Sequence, residues 1–260
     1  MQKFNYHGHT SRCGHAIGTD EEYVIQAIKN GYTHIGFSDH APYQNSSFPK
    51  HSMEVSQLQD YISSVQALKK KYRSQIKIYM GLEIEYYEDQ LEELKQYKQQ
   101  MDYLIVGQHG ESLFGKDFYQ YHSDEDTLRY GELIEKACES GLPDIIAHPD
   151  LFMYAKEEWN EACEITAHRI AKAAQDYQIP LEINLNGINY GKKHIGNEYR
   201  YAYPYRKFWE IVSMYDIKAV YGLDAHQPEK YADKECYRIV DEEILNGLDI
   251  PKLTYLDFDK

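Results

Sequence analysis

The sequence predicts an α/β fold, a barrel of seven strand–helix units, and two observations indicate it. Short apolar runs alternate with longer polar, helix-compatible stretches along the whole chain, which is typical of a parallel sheet with helices on its outside. Residues with metal-binding side chains follow most of the apolar runs, and a barrel gathers the ends of its parallel strands around one mouth. A doubly wound open sheet is the alternative architecture that the same alternation allows.

Seven apolar runs are predicted to be strands. They cover residues 3–7, 33–38, 76–83, 103–107, 144–148, 180–185 and 217–222. Seven strand–helix units are one fewer than in the usual barrel of this type. Because no low-complexity segment or shift in composition divides the chain, residues 1–260 are expected to form a single domain.

The stretches between the strands carry helix signals. Thr19, followed three residues later by Glu22, fits a capping box at the start of the first helix. Asn30-Gly31 is a stop signal for the same helix. Further helices are predicted over residues 55–72, 88–100, 124–140, 158–177, 204–215 and 230–246.

The chain is acidic, with a formal net charge of −14. A general nucleic-acid-binding protein usually shows a basic face, and the cationic run Lys69-Lys70-Lys71 falls late in a predicted helix, where it suits the helix dipole. The charge balance therefore argues against nucleic acid as a partner. It does not exclude a small phosphate, because bound metal ions reverse the local field.

The cysteines and the apolar runs bear on the compartment. The four cysteines are Cys13, Cys138, Cys163 and Cys236, and they form no Cys-x-x-Cys motif. In a chain of this size they are interpreted as reduced thiols of a cytoplasmic protein. The first residues include no apolar segment of a signal peptide, and no apolar run approaches the length of about 18 residues that a membrane span needs. We therefore expect a protein that is neither exported nor bound to a membrane.

Side chains that bind metals stand at or just after six of the seven predicted strand ends, the sixth strand being the exception. In chain order they are His7 and His9, Asp39 and His40, Glu83, His109, His148 and Asp150, and finally Asp224 and His226. Chance placement would scatter such residues over the helices and over both ends of a barrel. Because active sites of α/β barrels are built at the C-terminal ends of the strands, the pattern predicts a metal centre at that end.

The spacing of these residues suits shared ligation. In an extended chain, residues i and i+2 point the same way, so His7 and His9 can bind one ion or two adjacent ions. Asp224 and His226 repeat this geometry. His15 lies in the loop after the first strand, from where it could fold back over the site. Each motif alone is weak evidence, and Glu85 remains an alternative to its same-face neighbour Glu83.

In this order the residues resemble the PHP (polymerase and histidinol phosphatase) family, and in particular its stand-alone histidinol-phosphatase branch. The resemblance runs from His7 to His226. Supporting motifs are Gly-Phe-Ser-Asp-His-Ala-Pro at 36–42, Gly-Leu-Glu at 81–83, Leu-Glu-Ile-Asn at 181–184, and Tyr203-Pro204 ahead of Phe208-Trp209. One departure is Gly107-Gln108-His109, where the family often shows Val-His. The resemblance implies a distorted seven-stranded (β/α) barrel of the PHP type.

The resemblance also implies three divalent metal ions. The first would be held by His7, His9, Glu83 and Asp224, the second by Glu83, His109 and His148, and the third by His15, His40 and His226. Glu83 would bridge the first two ions. Ligands of this nitrogen and oxygen type suit Zn, Fe or Mn.

The implied activity is hydrolysis of a small phosphate monoester, with a metal-bridging hydroxide as the nucleophile. The histidinol-phosphatase branch implies L-histidinol phosphate, an intermediate of histidine biosynthesis, as the substrate and small-molecule partner. Asp224, His226 and Glu83 are the predicted catalytic residues.

Three further side chains are predicted to bind the substrate. Members of the family use two arginines on phosphate, and a guanidinium group binds phosphate oxygens in pairs. Arg169, in the helix after the fifth strand, and Arg200, in the loop after the sixth, are predicted to fill these roles. His122 is predicted to reach the mouth from the segment after the fourth strand.

Other functions remain open from the residues alone. Another PHP activity is one alternative, namely a phosphodiesterase, a nuclease-like editing module, or a nucleotide or phosphotyrosine phosphatase. An amidohydrolase also begins its barrel with His-x-His, but it is expected to have eight strands and often a bridging lysine. A non-catalytic metal-binding domain is a third alternative, although such a domain would be expected to have lost ligands.

Overall fold

The computed structural model describes residues 2–44, 51–120 and 123–259. In chain order its strands are β1 Phe4–Asn5, β2 His34–Phe37, β3 Lys77–Ile84, β4 Tyr103–Val106, β5 Ile145–Ile146, β6 Leu181–Asn184, β7 Lys193–Ile195, β8 Glu198–Arg200 and β9 Ala219–Gly222. Strands β1 to β6 and β9 form one sheet in sequential order, and every neighbouring pair in it is parallel. Strands β7 and β8 form a separate antiparallel hairpin.

The last strand of the sheet returns to the first, which nearly closes a barrel. A bridge pairs Gly8 with Ala225. Next to it, the His9 amide donates to the Ala225 carbonyl at 2.9 Å, and the Ala225 amide donates to the His7 carbonyl at 3.1 Å. The predicted seven-stranded barrel is therefore confirmed, and the open doubly wound sheet is wrong.

Helices cover the outside of the barrel. The α-helices of the described residues are α1 Asp20–Lys29, α2 Leu58–Tyr72, α3 Leu91–Gln100, α4 Asp124–Glu139, α5 Glu161–Asp176, α6 Arg206–Val212 and α7 Glu235–Ile239. The capping box of Thr19 and Glu22 is present at the start of α1. Short 3-10 turns precede α2 and α3, at Val55–Gln57 and Glu88–Gln90. None of the described helices is long and apolar enough to serve as a membrane span.

Two segments differ from the prediction. The last predicted helix is divided into a 3-10 turn Pro228–Ala232, helix α7 and a π-helical turn Val240–Ile244. The segment predicted as a loop after β6 contains the β7–β8 hairpin. Gly196 lies at the tip of this hairpin with φ +58°, a backbone conformation that glycine adopts readily and that tight hairpin turns require.

The C-terminal segment closes the N-terminal end of the barrel. It meets the first residues of two strands, because the Ala219 amide donates to the Pro251 carbonyl at 2.8 Å and Lys77 pairs with Asp259 at 2.6 Å. Phe258 stacks on Tyr103 with ring centroids 4.6 Å apart. This end of the barrel is therefore filled by protein side chains.

Candidate metal centre

The nine side chains predicted as metal ligands lie together at the C-terminal mouth of the barrel. Among the described residues, five overlapping groups of three side chains offer ligand atoms within 4.8 Å of one another, and three of these groups share no member and together contain all nine. They are His7, His9 and Asp224; Glu83, His109 and His148; and His15, His40 and His226. We call them the first, second and outer groups. The first group is fully buried, whereas the outer group lies at the rim.

Glu83, near the end of β3, lies between the groups. Its Oε2 is 3.3 Å from His7 Nε2 and 3.1 Å from His40 Nδ1. Its Oε1 is 3.0 Å from His148 Nε2. Gly107 makes room for this carboxylate, because a Cβ atom there would overlap Glu83 Oε1. The two oxygens thus face different groups, which is the arrangement that a bridging carboxylate needs.

Asp224 joins the first and outer groups. Its Oδ1 is 3.0 Å from His9 Nε2 and 3.3 Å from His226 Nδ1. The backbone of Asp224 has φ +46°, and that of His148 has φ +27°. Such values are uncommon for residues other than glycine, and they cluster at functional sites where the surroundings enforce them.

Backbone carbonyls orient two histidines of the outer group. His15 Nδ1 lies 3.1 Å from the Cys13 carbonyl oxygen, and His226 Nδ1 lies 3.0 Å from that of Asp224. Each ring therefore turns its Nε2 inward, and the two Nε2 atoms are 2.8 Å apart. His40 completes this group from the segment after β2.

Two opposing effects set the charge of the inner side chains: burial disfavours the charged form, and neighbouring groups of opposite charge favour it. Burial opposes a proton on His7 and His9, but nearby carboxylates outweigh it, Glu182 foremost for His7 and Asp224 for His9. The pKa of His7 therefore lies well above its ordinary value, and that of His9 is raised to about 9. Burial also opposes ionisation of Glu83 and Asp224, but the imidazoles hold the pKa of both carboxyls well below the usual range.

The outer group favours neutral rings. Burial is the largest cause, and it lowers the pKa of His15, places that of His40 well below its ordinary value and lowers that of His226 to about 4. A neutral imidazole is the form that binds a metal ion. This group can therefore accept a cation without first losing protons.

Several buried polar atoms of the centre have no hydrogen-bond partner within the described part of the chain. They are His7 Nε2, both ring nitrogens of His9, Glu83 Oε2, His148 Nδ1 and Asp224 Oδ1. A buried polar atom without a partner is costly, and most such atoms in proteins are bonded. Imidazole nitrogens and carboxylate oxygens that converge in this way fit divalent transition metal ions.

A cavity of about 520 Å³ opens over the centre. Glu83, His109 and residues of the outer group form part of its floor. Its walls include four tyrosine rings, those of Tyr43, Tyr87, Tyr119 and Tyr190. The volume suits a small organic molecule, and Lys116 is the one Lys or Arg among the described lining residues.

The two arginines predicted to bind phosphate do not line this cavity. The guanidinium of Arg200 donates to four backbone carbonyls at 2.9–3.0 Å, those of Tyr201, Ala202, Met153 and Lys156. Its Nε also lies 3.1 Å from Glu198. The prediction for Arg200 is corrected, because these bonds engage its donors in holding the hairpin to the barrel.

Arg169 lies on α5, outside the barrel. It faces Glu132 and Glu135 of α4 at 3.6 and 3.5 Å. The assignment of Arg169 to phosphate is therefore also corrected, since its partners are acids of a neighbouring helix. His122 lies outside the described residues, and its predicted role stays a prediction.

Asp150 also turns away from the centre. Its Oδ2 accepts hydrogen bonds from the Tyr205 amide at 2.6 Å and from Trp209 Nε1 at 3.0 Å. Burial raises the pKa of this carboxyl to about 7. Although Asp150 follows His148 closely in sequence, it anchors the segment before α6 and belongs to none of the three groups.

Sequence reasoning did not assign a role to three polar residues of β6 and its end. Glu182, Asn184 and Asn186 contact predicted ligands through hydrogen bonds. The available signal was a polar residue at every second position of a strand that is otherwise apolar. In a buried strand, such a period indicates that one face meets polar groups.

Two proteins named as histidinol-phosphatases resemble this chain in sequence. A protein of Deinococcus radiodurans named a probable histidinol-phosphatase is 28% identical over 231 residues, which are 85% of each chain. The histidinol-phosphatase of Bacillus subtilis is 36% identical over 100 residues, 35% of this chain and 37% of that protein.

A solved structure shares the fold. It is the histidinol phosphate phosphatase of Lactococcus lactis in complex with zinc, L-histidinol and phosphate, with a TM-score of 0.72 and 16% identity over 96% of this chain and 95% of that one. The model of the PHP domain matches residues 5–186 of this chain, which carry seven of the nine residues of the centre. The chain therefore belongs to the PHP domain family.

Proposed function

We propose that this chain is a metal-dependent phosphatase that hydrolyses L-histidinol phosphate, a small phosphate monoester of histidine biosynthesis. The observation that carries the proposal is the convergence of seven imidazoles and two carboxylates, with buried atoms left unpartnered, beneath a cavity of about 520 Å³. The names of the Deinococcus and Bacillus relatives and the contents of the Lactococcus complex support the choice of substrate.

Divalent ions bound by the three groups would supply an activated water and offset the charge of the phosphoryl group. The chain's contribution is to fix the ligands around one point. Glu83 presents an oxygen to each of the two inner groups. Because only two carboxylates join seven neutral imidazoles in this set, the loaded centre would stay positive and attract a phosphate even in an acidic protein.

Asp224 and His226 are the two candidates for proton transfer to the leaving alcohol, and both also belong to the candidate ligand set. Asp224 and His226 both line the cavity, and His226 Nδ1 is 3.3 Å from Asp224 Oδ1. Phosphate is bound by the metal centre itself in this account, because the described cavity lining includes no arginine.

The cavity walls suit the organic part of the proposed substrate. Histidinol carries a flat imidazole ring and an ammonium group. Rings such as Tyr119, which already stacks on His109 with centroids 5.6 Å apart, can pack against a flat ring. The carboxylates of Glu85 and Asp117 line the same cavity and favour a cation.

We further propose that residues 1–260 act as one domain in the cytoplasm. All four cysteines are buried and free. Unpaired thiols are usual where the surroundings are reducing. The interlocking of the C-terminal segment with the first strands supports a single folding unit.

The test is a phosphate-release assay on protein purified without a chelator. The panel contains L-histidinol phosphate, nucleoside monophosphates, phosphotyrosine and a phosphodiester, and Glu83→Gln is the inactive control. We expect kcat/KM for histidinol phosphate to exceed that for every other compound by about 100-fold or more, equal to roughly 2.7 kcal/mol. Preference for the phosphodiester or for phosphotyrosine would replace this proposal with another PHP activity.

A further inference from the structure

Strand β6 brings no predicted metal ligand to the mouth, yet its inward face touches the centre. Glu182 and Asn184 are fully buried, and Asn186 follows two residues later. The intervening Ile183 and Leu185 belong to the apolar core beneath the helices. The period of two places Glu182 and Asn184 on the barrel side of the strand, whereas Asn186 reaches Asp224 from the start of the 3-10 turn that follows.

Glu182 contacts one histidine of each inner group. Its Oε1 is 2.8 Å from His7 Nδ1, and its Oε2 accepts from the His148 backbone amide at 3.1 Å. The bond at Nδ1 leaves His7 Nε2 facing Glu83 Oε2. A carboxylate behind a histidine fixes the ring orientation and the tautomer, and it makes the inward nitrogen a stronger ligand.

Asn184 and Asn186 act on Asp224. Their Nδ2 atoms lie 3.3 and 3.1 Å from Asp224 Oδ2, so Oδ1 is the oxygen that faces His9. Asn184 Oδ1 accepts from the Asn186 amide at 2.8 Å. That bond turns the Asn184 amino group toward the carboxylates. The same amino group also donates to Glu182 Oε2 at 3.0 Å.

The neighbouring strand leaves space for this arrangement. Gly222 of β9 stands opposite, and a Cβ atom there would overlap Glu182 Oε1 and its carboxyl carbon. Gly107, directly after β4, gives the same room to Glu83 of β3. Glu83 and Glu182, two of the buried carboxylates near the mouth, therefore each lie against a glycine.

We propose that β6 is the positioning strand of the metal centre, with Glu182 as the residue that orients the first and second groups together. The inference rests on the proposed metal-dependent function. The outer group is oriented separately, because the rings of His15 and His226 are held by the carbonyls of Cys13 and Asp224. Loss of the Glu182 carboxylate should therefore weaken two ions and leave the third nearly unchanged.

Glu182→Gln tests this idea with little change of volume. Oε2 faces two donors, the His148 amide and Asn184 Nδ2, and His7 Nδ1 lies 2.8 Å from Oε1 and 3.1 Å from Oε2. An amide would point its NH2 group at a donor in either orientation. We expect the affinity of the two inner ions to fall about 10- to 100-fold, the usual effect of losing such a partner.

The measurement is a titration of metal-free protein with Co²⁺, followed by its visible absorption, together with thermal unfolding of the metal-free form. Wild type should bind about three ions, whereas Glu182→Gln should retain one ion at near wild-type affinity. Glu164→Gln, an exposed acid on α5, is the matched control and should behave as wild type.

Asn186→Ala serves as a second, milder variant, which should weaken the first ion alone by a few-fold. A purely structural role for Glu182 would instead lower the melting temperature of the metal-free protein and leave the Co²⁺ isotherm unchanged. That outcome, or an equal loss at all three ions, would overturn the inference. Wild type that binds three ions without hydrolysing histidinol phosphate would contradict the proposed substrate but leave the role of β6 intact.

Discussion

The two ends of the barrel differ in how their buried polar atoms are satisfied. At the N-terminal end, Tyr6, Tyr79 and Tyr103 pack around Phe258 of the C-terminal segment. Their hydroxyls are bonded, that of Tyr6 to the Leu256 carbonyl at 2.7 Å and that of Tyr79 to Asp257 at 3.0 Å. At the C-terminal mouth, buried imidazole and carboxylate atoms converge without hydrogen-bond partners among the described residues.

This difference separates stability from function within one fold. The closed end satisfies its own polar groups, so it should stay folded without any ligand. The mouth places buried polar atoms without hydrogen-bond partners side by side, which lowers the stability of the fold. A bound cation would satisfy these atoms. Variants at the two ends should therefore change different measurements.

The largest effect is expected for Glu83→Gln at the mouth. The change removes the carboxylate that faces both inner groups, and kcat/KM should fall about 1,000-fold, equal to roughly 4 kcal/mol. Phosphate release measures the activity, and thermal unfolding of the metal-free form measures the fold. A variant that kept near wild-type activity would remove Glu83 from the centre.

Phe258→Ala probes the closed end and should give the reverse pattern. The ring contacts three tyrosines but is only partly buried, so we expect the free energy of unfolding to fall by about 2–3 kcal/mol. Urea unfolding provides the measurement. The kcat/KM of the folded variant should stay within about twofold of wild type; a large loss of activity at unchanged stability would contradict the separation of the two ends.

Arg200→Ala sharpens the comparison, because Arg200 was predicted to bind phosphate at the mouth, whereas its two terminal nitrogens donate to four backbone carbonyls. The bonds to Met153 and Lys156 hold the β7–β8 hairpin. The free energy of unfolding of the variant should therefore be about 2 kcal/mol lower than that of wild type. KM for histidinol phosphate should change by less than about twofold. A tenfold rise in KM at unchanged stability would restore Arg200 to the phosphate site.

The smallest effect is expected for Arg169→Ala. Its guanidinium is partly exposed and lies 3.5–3.6 Å from two acids of α4, and such surface pairs contribute below about 0.5–1 kcal/mol. Neither kcat nor KM should change measurably. Steady-state kinetics with histidinol phosphate decides the point, and a clear rise in KM would show that α5 reaches the substrate.

Much of the fold was predictable because its signals are local. The capping box at Thr19 and Glu22 is present as expected. The alternation of strands and helices predicts a parallel sheet, and the metal-binding residues at the strand ends favoured a barrel over an open sheet. The convergence of the nine candidate ligands was predictable for a related reason, since strand ends of a parallel barrel meet at one mouth. The positions of His7 and His226 at the ends of predicted strands were enough to predict that both lie at the mouth.

The remaining features depend on contacts between distant residues. Glu182 bonds to His7 across 175 residues, and no spacing in the sequence reveals that pair. Arg200 was assigned to phosphate from its residue type, its place after the sixth strand and the family resemblance, but its carbonyl partners arise from the folding of the hairpin. The closing role of the C-terminal segment likewise depends on long-range packing against Tyr103.

The metal content of the protein as purified without chelator tests the central claim most directly. Elemental analysis should give about three divalent ions per chain, one for each group of converging side chains. Dialysis against a chelator should remove them together with the phosphatase activity, and added metal should restore both. Fewer than about one ion per chain, with an activity that chelation does not change, would contradict the account.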